Sequence, residues 1–475
     1  MVDWLPWTAE AFARAARERK PVLLSITAAW CRACHEMDRT TYADARVAEA
    51  IRDRVVPVRV DADRRPDINE RYNLGGWPTT AFLTPAGDVI TGGTFVPVER
   101  MVDVIARVAA EFASVDFSAA DHTAADHADD ANQSAAGYAD HADIAADFAE
   151  DAEGEAFSTF DEQYGGFGVE PKFPHTAPLL LAMALFRETR ADHWRSIVER
   201  TLDAMADGPL WDTRAGGFYR YASTRDWQLP HEEKLLETNA AVLRACAEAA
   251  VTFGRAVDRD RTAKITNFIT TGLKVEGGGY RGSDADAVLY ADANALAASA
   301  LLAAATVLED SELARDALAS FERVMLACYR PGGGLAHHAN PAGSAIRGLL
   351  ADHVAAIVAL LDAHDVSDGE PYRMMAEELG HVVVRDMWDG RLGGFFDRAP
   401  SPDDLGLLRR RRKPFVSNAE AAIAFARLSR LEQRKGFPDP AVFREHAHGA
   451  LNAAARELPG QGPLAAHYAL ARRHL

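Results

Sequence analysis

The stretch Trp30-Cys31-Arg32-Ala33-Cys34 places two cysteines three positions apart, directly after an apolar run at residues 21–27. The run predicts a buried strand, and the spacing of the residues after the cysteines predicts a helix. At the start of a helix, backbone N–H groups and the helix dipole lower the pKa of a thiol and favour the thiolate. Two thiols at this spacing can close a disulfide within one turn, which indicates thiol–disulfide chemistry.

Residues 1–115 alternate strand and helix patterns around this cysteine pair. The predicted strands lie at 22–26, 55–60, 80–83 and 89–95, and the predicted helices lie at 42–54, 67–72 and 98–113. The segment Gly75-Gly76-Trp77-Pro78-Thr79-Thr80 comes directly before the apolar core of the third strand. This order of elements predicts an α/β domain with the cysteines at the end of its first strand.

Residues 116–154 differ in composition from the rest of the chain. Asp, Ala and His dominate there, and too few apolar residues are present to bury one face of a helix. We interpret the segment as an acidic, solvated linker. Its histidines have no regular spacing and no cysteine neighbours, so a linker is favoured over a metal site.

Residues 155–475 form a helical region with an internal repeat of about 55 residues, the length of a helical hairpin with its turns. Each repeat is marked by a glycine pair before an aromatic or apolar residue. These are Gly165-Gly166-Phe167, Gly216-Gly217-Phe218, Gly278-Gly279-Tyr280, Gly333-Gly334-Leu335 and Gly393-Gly394-Phe395. With a degenerate sixth instance at Gly460-Gln461-Gly462, the repeats predict an (α/α)6 toroid. An unclosed helical bundle with helix-terminating glycines is the alternative.

Composition limits the class of protein. The length of 475 residues allows two or more domains, and four cysteines do not form a disulfide scaffold. Cys246 and Cys328 lie among apolar helical residues and are interpreted as small buried side chains. The N-terminal residues show no basic segment followed by an apolar core, and no apolar run is long enough to span a bilayer, so we expect a cytoplasmic protein.

The formal net charge of −18 disfavours binding to nucleic acid or to an anionic membrane. Such an acidic surface, with arginine far commoner than lysine, suits a halophilic protein, because dense carboxylates keep a protein hydrated while salt screens their repulsion. A genome rich in G and C would also produce it. The two explanations are compatible.

Several motifs together resemble the DUF255 family, to which the YyaL-type and spermatogenesis-associated protein 20 groups belong. The matching stretches are Cys31-Arg-Ala-Cys34-His35-Glu36-Met37, residues 58–67, Gly75-Gly76-Trp77-Pro78, residues 82–88, Tyr164-Gly-Gly-Phe-Gly168, Pro171-Lys172-Phe173-Pro174-His175 and Pro230-His231-Glu232-Glu233-Lys234. The resemblance implies a thioredoxin-like domain over 1–115 and a six-hairpin glycosidase-like barrel over 155–475. Ala33 replaces a family Trp between the two cysteines. Thr238 replaces a family Asp in the barrel, and the loss of this Asp implies altered chemistry there.

A thioredoxin-like site assigns roles to residues of the first domain. Cys31 would attack and Cys34 would resolve, with their disulfide as the only redox group and no separate cofactor or metal. Pro78, in a cis peptide bond, would lie beside the disulfide. Trp30 and Trp77 would wall the site, and the cation of Arg32 would favour the thiolate. A docking module without activity is an alternative, and a zinc site with His35 is disfavoured because no second ligand pair is present.

The barrel offers a second set of candidates near its glycine turns. The selected cavity residues are Lys172, His175, His231, Glu233, Lys234 and Asn239. Other polar residues that follow the turns are Arg220, Tyr221, Asp292, Asn294, His337, His338, Arg347, Asp352 and His353. Toroids of this class include sugar 2-epimerases and glycosidases, in which His or carboxylate groups transfer protons. By this fold-level analogy, we expect His175, His231 and Glu233 to converge on one cavity.

Three functions remain open on the sequence. The first is a thiol–disulfide oxidoreductase fused to a helical barrel, acting on a protein disulfide and recharged by a thioredoxin-reductase-type reductant. The second is a carbohydrate-active barrel, epimerase-like or hydrolase-like, that binds a sugar-like ligand and carries a redox-regulatory module. The third is a non-catalytic adaptor. None of them involves nucleic acid or a membrane.

Overall fold

The computed structural model describes residues 2–114, 149–339, 346–435 and 441–475. The chain divides into two compact units: Met1–Asp143 with Pro400–Arg410, and Ile144–Ala399 with Arg411–Leu475. The predicted linker at 116–154 lies outside the described residues as far as 148. Its last residues belong to a helix, Ala149–Phe157, which crosses the predicted boundary at 154/155.

The first unit contains a four-stranded mixed sheet. Its strands are β1 (Val22–Thr27), β2 (Val56–Asp61), β3 (Thr79–Leu83) and β4 (Val89–Gly93), in the spatial order β2-β1-β3-β4. Strand β1 pairs parallel to β2 and antiparallel to β3, and β3 pairs antiparallel to β4. The apolar run that predicted a buried strand is therefore one of the two central strands, and all but its last residue are buried.

Five α-helices accompany the sheet in the described part of the first unit. They are α1 (Ala9–Glu18), α2 (Arg32–Arg39), α3 (Ala45–Arg54), α4 (Pro66–Tyr72) and α5 (Val98–Ser114). Met37, Ile51, Phe82 and Ile105 form part of the core between the helices and the sheet. The α/β fold class predicted for this part of the chain is confirmed.

The second unit is a ring of paired helices. The inner helices are α7 (Ala177–Thr189), α9 (Leu236–Phe253), α11 (Ala291–Leu308), α13 (Leu350–Ser367), α15 (Phe415–Lys435) and α17 (Ala465–His474). The outer helices are α6 (Ala149–Phe157), α8 (Asp192–Asp207), α10 (Ala256–Asn267, continued by a π-helical segment Phe268–Leu273), α12 (Ser311–Cys328), α14 (Glu370–Met387) and α16 (Ala441–Ala455). Each inner helix packs on the next, and α17 packs on α7, so the ring closes. The predicted (α/α)6 toroid is confirmed.

Short elements lie at the turns between these helices. They are the two-residue strands β5 (Tyr221–Ala222), β6 (Pro230–His231), β7 (Tyr329–Arg330) and β8 (Gly334–Leu335), and the 3-10 helix Gly462–Leu464. A further 3-10 helix, Gly406–Arg409, belongs to the first unit. The repeated glycine pairs make close packing possible at the turns. Gly166 has a φ of +76°, and a Cβ atom there would lie 2.5 Å from the Trp227 ring, so no other residue fits.

One helix among the described residues, α11, is long and apolar enough to cross a membrane by length and composition. The sequence reading had expected no such segment. Because 67% of its apolar window is buried within the protein, α11 is explained as a core helix of the toroid.

Candidate functional site

The two cysteines lie where β1 leads into α2. Cys31 is the N-cap of α2, and its Sγ accepts a hydrogen bond from the backbone N–H of Cys34 at 3.1 Å. Cys31 and Cys34 are joined by a disulfide, with Cα atoms 5.2 Å apart. Cys31 is 4% exposed and Cys34 is 2% exposed, so the bond lies just below the surface. A helix N-terminus at this sulfur stabilises a thiolate once the bond is reduced.

The structure describes all four predicted supporting residues, Trp30, Arg32, Trp77 and Pro78. The Trp77–Pro78 peptide bond is cis, and Pro78 is buried. The Trp30 and Trp77 rings meet edge to face with centroids 5.5 Å apart. The indole N–H of Trp30 donates to Asp63 Oδ2 at 2.6 Å, which fixes its ring. Arg32 is the first residue of α2 and is exposed.

The other two cysteines lie in the helical unit and are buried. Cys246 is 1% exposed and Cys328 is 0% exposed. Burial raises the pKa of each thiol to about 12. A thiol with such a pKa forms little thiolate near neutral pH, so the burial predicted for these residues also makes them unreactive.

Two of the predicted barrel residues are lysines that hold the glycine turns together. Lys172 Nζ donates to Asp161 Oδ2 at 2.7 Å and to a backbone carbonyl at 2.9 Å, and its side chain is fully buried. Lys234 Nζ donates to Asp212 Oδ2 at 2.5 Å and to the carbonyl of Gly216 at 2.9 Å. Lys413 makes the same pair of contacts in a later repeat. These contacts account for both lysines without a ligand.

Asn239 also has a repeated contact. Its Oδ1 accepts the backbone N–H of Phe218 at 2.7 Å, and its Nδ2 donates to the Phe218 carbonyl at 3.0 Å. Asn294 and Asn418 bind the residues after the glycine pairs of their own repeats in the same way. The structure therefore places Asn239 in a clamp between a glycine turn and the following inner helix.

The predicted histidines lie along one row of aromatic rings. The His231 ring stacks on the Tyr221 ring, with centroids 4.1 Å apart, and Tyr221 stacks on Phe173, with centroids 4.8 Å apart. The centroids of the Phe173 and His175 rings are 6.2 Å apart. His231 Nδ1 lies 3.8 Å from Glu233 Oε2. His231 and Glu233 therefore approach each other, whereas two rings separate His231 from His175. Burial, followed by the charge of His467, lowers the pKa of His175.

A cluster of acids and one histidine occupies the beginning of three successive inner helices. Glu237, Asp292 and Asp352 lie in the first turns of α9, α11 and α13. His337 Nδ1 lies 2.8 Å from Asp352 Oδ1. Burial raises the pKa of Asp292 to about 6, where nearby His337 acts to lower it and Asp352 and Glu237 act to raise it. Burial also raises the pKa of Glu237. Glu237 is nevertheless exposed to solvent.

This cluster was not selected from the sequence. The sequence identifies Asp292, His337 and Asp352 only as polar residues that follow glycine turns, and Glu237 is not among the predicted site residues. The one sequence feature that points to this cluster is an acidic residue in the first turn of each of three successive inner helices. That pattern is also the common response to a helix dipole, so it does not by itself mark a site.

Ion pairs cross the ring nearer the other ends of the inner helices. Arg244 of α9 lies 3.6 Å from Asp362 of α13, although α11 separates these two helices in the ring. Arg427 of α15 binds the same carboxylate at 2.7 Å. Side chains that join non-adjacent helices must face the interior. The interior of the toroid is therefore polar in two places. Acids and a histidine lie near the N-termini of the inner helices, and ion pairs lie further along these helices.

A protein-family model described as "Protein of unknown function, DUF255" matches residues 1–129. This N-terminal part of the chain is therefore similar to the DUF255 family. Spermatogenesis-associated protein 20 of Rattus norvegicus is 29% identical to this chain over an alignment of 306 residues. The alignment covers 60% of this chain and 39% of that protein. The chain thus spans about two fifths of the length of such curated relatives.

Two further comparisons concern the units separately. The thiol:disulfide interchange protein DsbD of Ralstonia nicotianae is 39% identical over 82 residues, 17% of this chain and 14% of that protein. The structure of a cellobiose 2-epimerase from Bacillus thermoamylovorans superposes with a TM-score of 0.53 and 13% identity, covering 64% of this chain and 86% of the epimerase. At that identity the likeness shows the fold, an α/α toroid, and nothing of the substrate.

Proposed function

We propose that the N-terminal unit catalyses thiol–disulfide exchange through Cys31 and Cys34. The observation that carries the proposal is the position of Cys31 at the N-cap of α2, where its sulfur accepts a backbone N–H. The cis Trp77–Pro78 bond and the local similarity to a DsbD protein support it. The description of the matching family states no activity.

The reaction transfers two electrons from the reduced cysteine pair to a substrate disulfide. The Cys31 thiolate attacks one substrate sulfur, which forms a mixed disulfide and releases the other substrate sulfur as a thiolate. The Cys34 thiolate then attacks Cys31 Sγ, which closes the Cys31–Cys34 disulfide and releases the second substrate thiol. A dithiol or a thioredoxin-reductase-type partner reduces the pair again, which suits a reducing compartment such as the cytoplasm.

Reduction of insulin by the full chain with dithiothreitol tests this proposal. We expect the wild type to accelerate insulin precipitation and Cys31→Ser to remove that acceleration. Cys246→Ser is the matched control, because it removes a thiol that is buried and has a pKa of about 12. Equal rates for the wild type and Cys31→Ser would instead favour the adaptor function.

A second candidate function is the binding of a sugar-like ligand inside the toroid. The specific observation is a polar interior that contains Asp292, an acid whose pKa burial raises to about 6, with Glu237 among the charges that act on it. Such acids donate and accept protons near physiological pH. Calorimetry of the full chain with neutral and acidic disaccharides tests for binding, and a lack of heat across the panel would leave the interior as a structural network.

A further inference from the structure

Asp292, His337 and Asp352 are brought together from three separate parts of the chain. Asp292 is the second residue of α11, Asp352 is the third residue of α13, and His337 lies in the turn that precedes α13. Each of them offers one ligand atom, and these atoms all lie within 4.8 Å of one another. An imidazole and two carboxylates at this separation fit around a single ion.

The carboxylate of Asp352 provides an independent observation. Asp352 is fully buried, and its Oδ1 lies 2.8 Å from His337 Nδ1. Among the residues that the structure describes, none forms a hydrogen bond with its Oδ2, although that atom is inaccessible to solvent. A buried carboxylate oxygen without a partner is costly, because it loses its hydration and gains nothing in exchange.

The helix dipoles do not explain the whole arrangement. They favour acids in the first turns of α11 and α13, and Asp292 Oδ1 accepts the N–H of Ala293 at 2.7 Å. That contact satisfies one oxygen of Asp292. It does not account for the unpartnered oxygen of Asp352, or for an imidazole buried between two carboxylates.

We propose that Asp292, His337 and Asp352 bind one divalent transition-metal ion. The ion neutralises the clustered carboxylates and gives Asp352 Oδ2 a partner. One imidazole with two carboxylates suits Zn²⁺ and Mn²⁺, since both accept mixed nitrogen and oxygen ligands. Three protein ligands are the number found in zinc sites that keep a position open for water or substrate. The site is independent of the cysteine pair and replaces the sequence-based expectation that the protein binds no metal.

Metal binding by the full chain tests the proposal. The protein is stripped with a chelator, kept free of reductant so that Cys31 and Cys34 stay joined, and titrated with MnCl₂ and separately with ZnCl₂ by calorimetry. Asp352→Asn and Asp292→Asn are the test variants. Glu420→Gln is the matched control, because Glu420 also pairs with a histidine, His467, at 3.3 Å on the inner helices but lies outside the cluster.

We expect one ion per chain, a higher melting temperature with the ion, and a loss of affinity of about tenfold or more in both test variants. Glu420→Gln should bind like the wild type. The proposal is overturned if neither metal binds stoichiometrically, if the test variants bind undiminished, or if Glu420→Gln loses as much affinity as they do. If Asp352→Asn fails to fold, Asp292→Asn decides the result, because Asp292 is less buried and its removal leaves the His337–Asp352 contact intact.

Discussion

The sulfur of Cys31 accepts the backbone N–H of Cys34, so the first turn of α2 directs a hydrogen-bond donor at one cysteine of the pair. Cys34 lies inside the helix and is the more buried of the two. The two thiols are therefore unequal once they are reduced. In the proposed exchange, the sulfur at the helix N-terminus is the attacking thiolate, and its neighbour attacks it in turn.

The first prediction concerns Cys34→Ser. The variant should accumulate a mixed disulfide between Cys31 and a substrate, because the attacking thiolate remains and the resolving thiol is gone. Incubation with a disulfide-bonded peptide followed by intact-mass measurement without reductant detects the adduct. The double variant Cys31→Ser/Cys34→Ser is the control. An adduct of equal yield in the double variant would assign it to another cysteine and contradict the assigned roles.

The second prediction compares two adjacent acids, Asp161 and Glu162. Asp161 is buried against Lys172, whereas Glu162 pairs with Arg200 at the surface. Removing Asp161 leaves the ammonium of Lys172 buried without its partner. We expect Asp161→Ala to lower the free energy of unfolding by about 3–5 kcal/mol, and Glu162→Ala to lower it by about 1 kcal/mol or less.

Urea unfolding followed by far-UV circular dichroism measures both effects, because most of the helices belong to the toroid. Similar midpoints for the two alanine variants would show that the buried pair does not stabilise the turn. Lys172→Met should cost less than Asp161→Ala, because Arg225 remains to bind the Asp161 carboxylate at 2.8 Å.

The third prediction concerns acid stability. Burial alone would raise the pKa of Asp212, but Lys234 and the backbone N–H groups of Arg214 and Ala215 hold it at about 2. An unfolded Asp has a pKa of about 3.9. A folded pKa below the unfolded value means that Asp212 stabilises the fold fully above about pH 4, and that this stabilisation is lost as the pH falls towards about 2.

The test compares the wild type with Asp212→Asn. We expect the variant to melt at a lower temperature near neutral pH, and the difference to shrink steadily as the pH falls from about 4 to about 2. Asp260→Asn, at an exposed surface position, is the control and should follow the wild type. A difference that stays constant over this range would show that the Asp212 charge contributes nothing.

The fold was largely predictable, because its signals are local. Apolar runs identified β1 to β4 within two residues, and the glycine pairs identified the toroid. The start of α3 was placed three residues too early, at 42, because Asp44 caps the helix by accepting the N–H of Arg46. Helix α1 was not predicted, since its buried face consists of only three residues, Ala11, Phe12 and Ala15.

The barrel site was less predictable, because its contacts join distant parts of the chain. Lys172 looked available for a ligand, but its partner Asp161 lies eleven residues earlier in a turn whose geometry the sequence does not specify. Glu237 looked like an ordinary first-turn acid until the ring placed it beside Asp292. Residue type and position in a repeat indicated polar residues near the turns, whereas closure of the ring decides which of them meet.

The last prediction concerns Tyr72 and the segment Pro400–Arg410, which belongs to the first unit although it is distant in sequence. The Tyr72 hydroxyl donates to the carbonyl of Gly87 at 2.7 Å and accepts the N–H of Leu407 at 2.8 Å. Its side chain is fully buried, and burial raises its pKa to about 12, so it stays a protonated donor across the physiological range.

Tyr72→Phe keeps the ring and removes both hydrogen bonds. We expect a loss of about 1–3 kcal/mol, because the buried N–H of Leu407 loses its partner. Hydrogen exchange with mass spectrometry should show faster exchange in a peptide that contains Leu407, with no change in a peptide that covers α2 as the internal control. Unchanged exchange at Leu407 would show that Tyr72 does not hold this segment, and faster exchange throughout the unit would indicate general destabilisation instead of a local release.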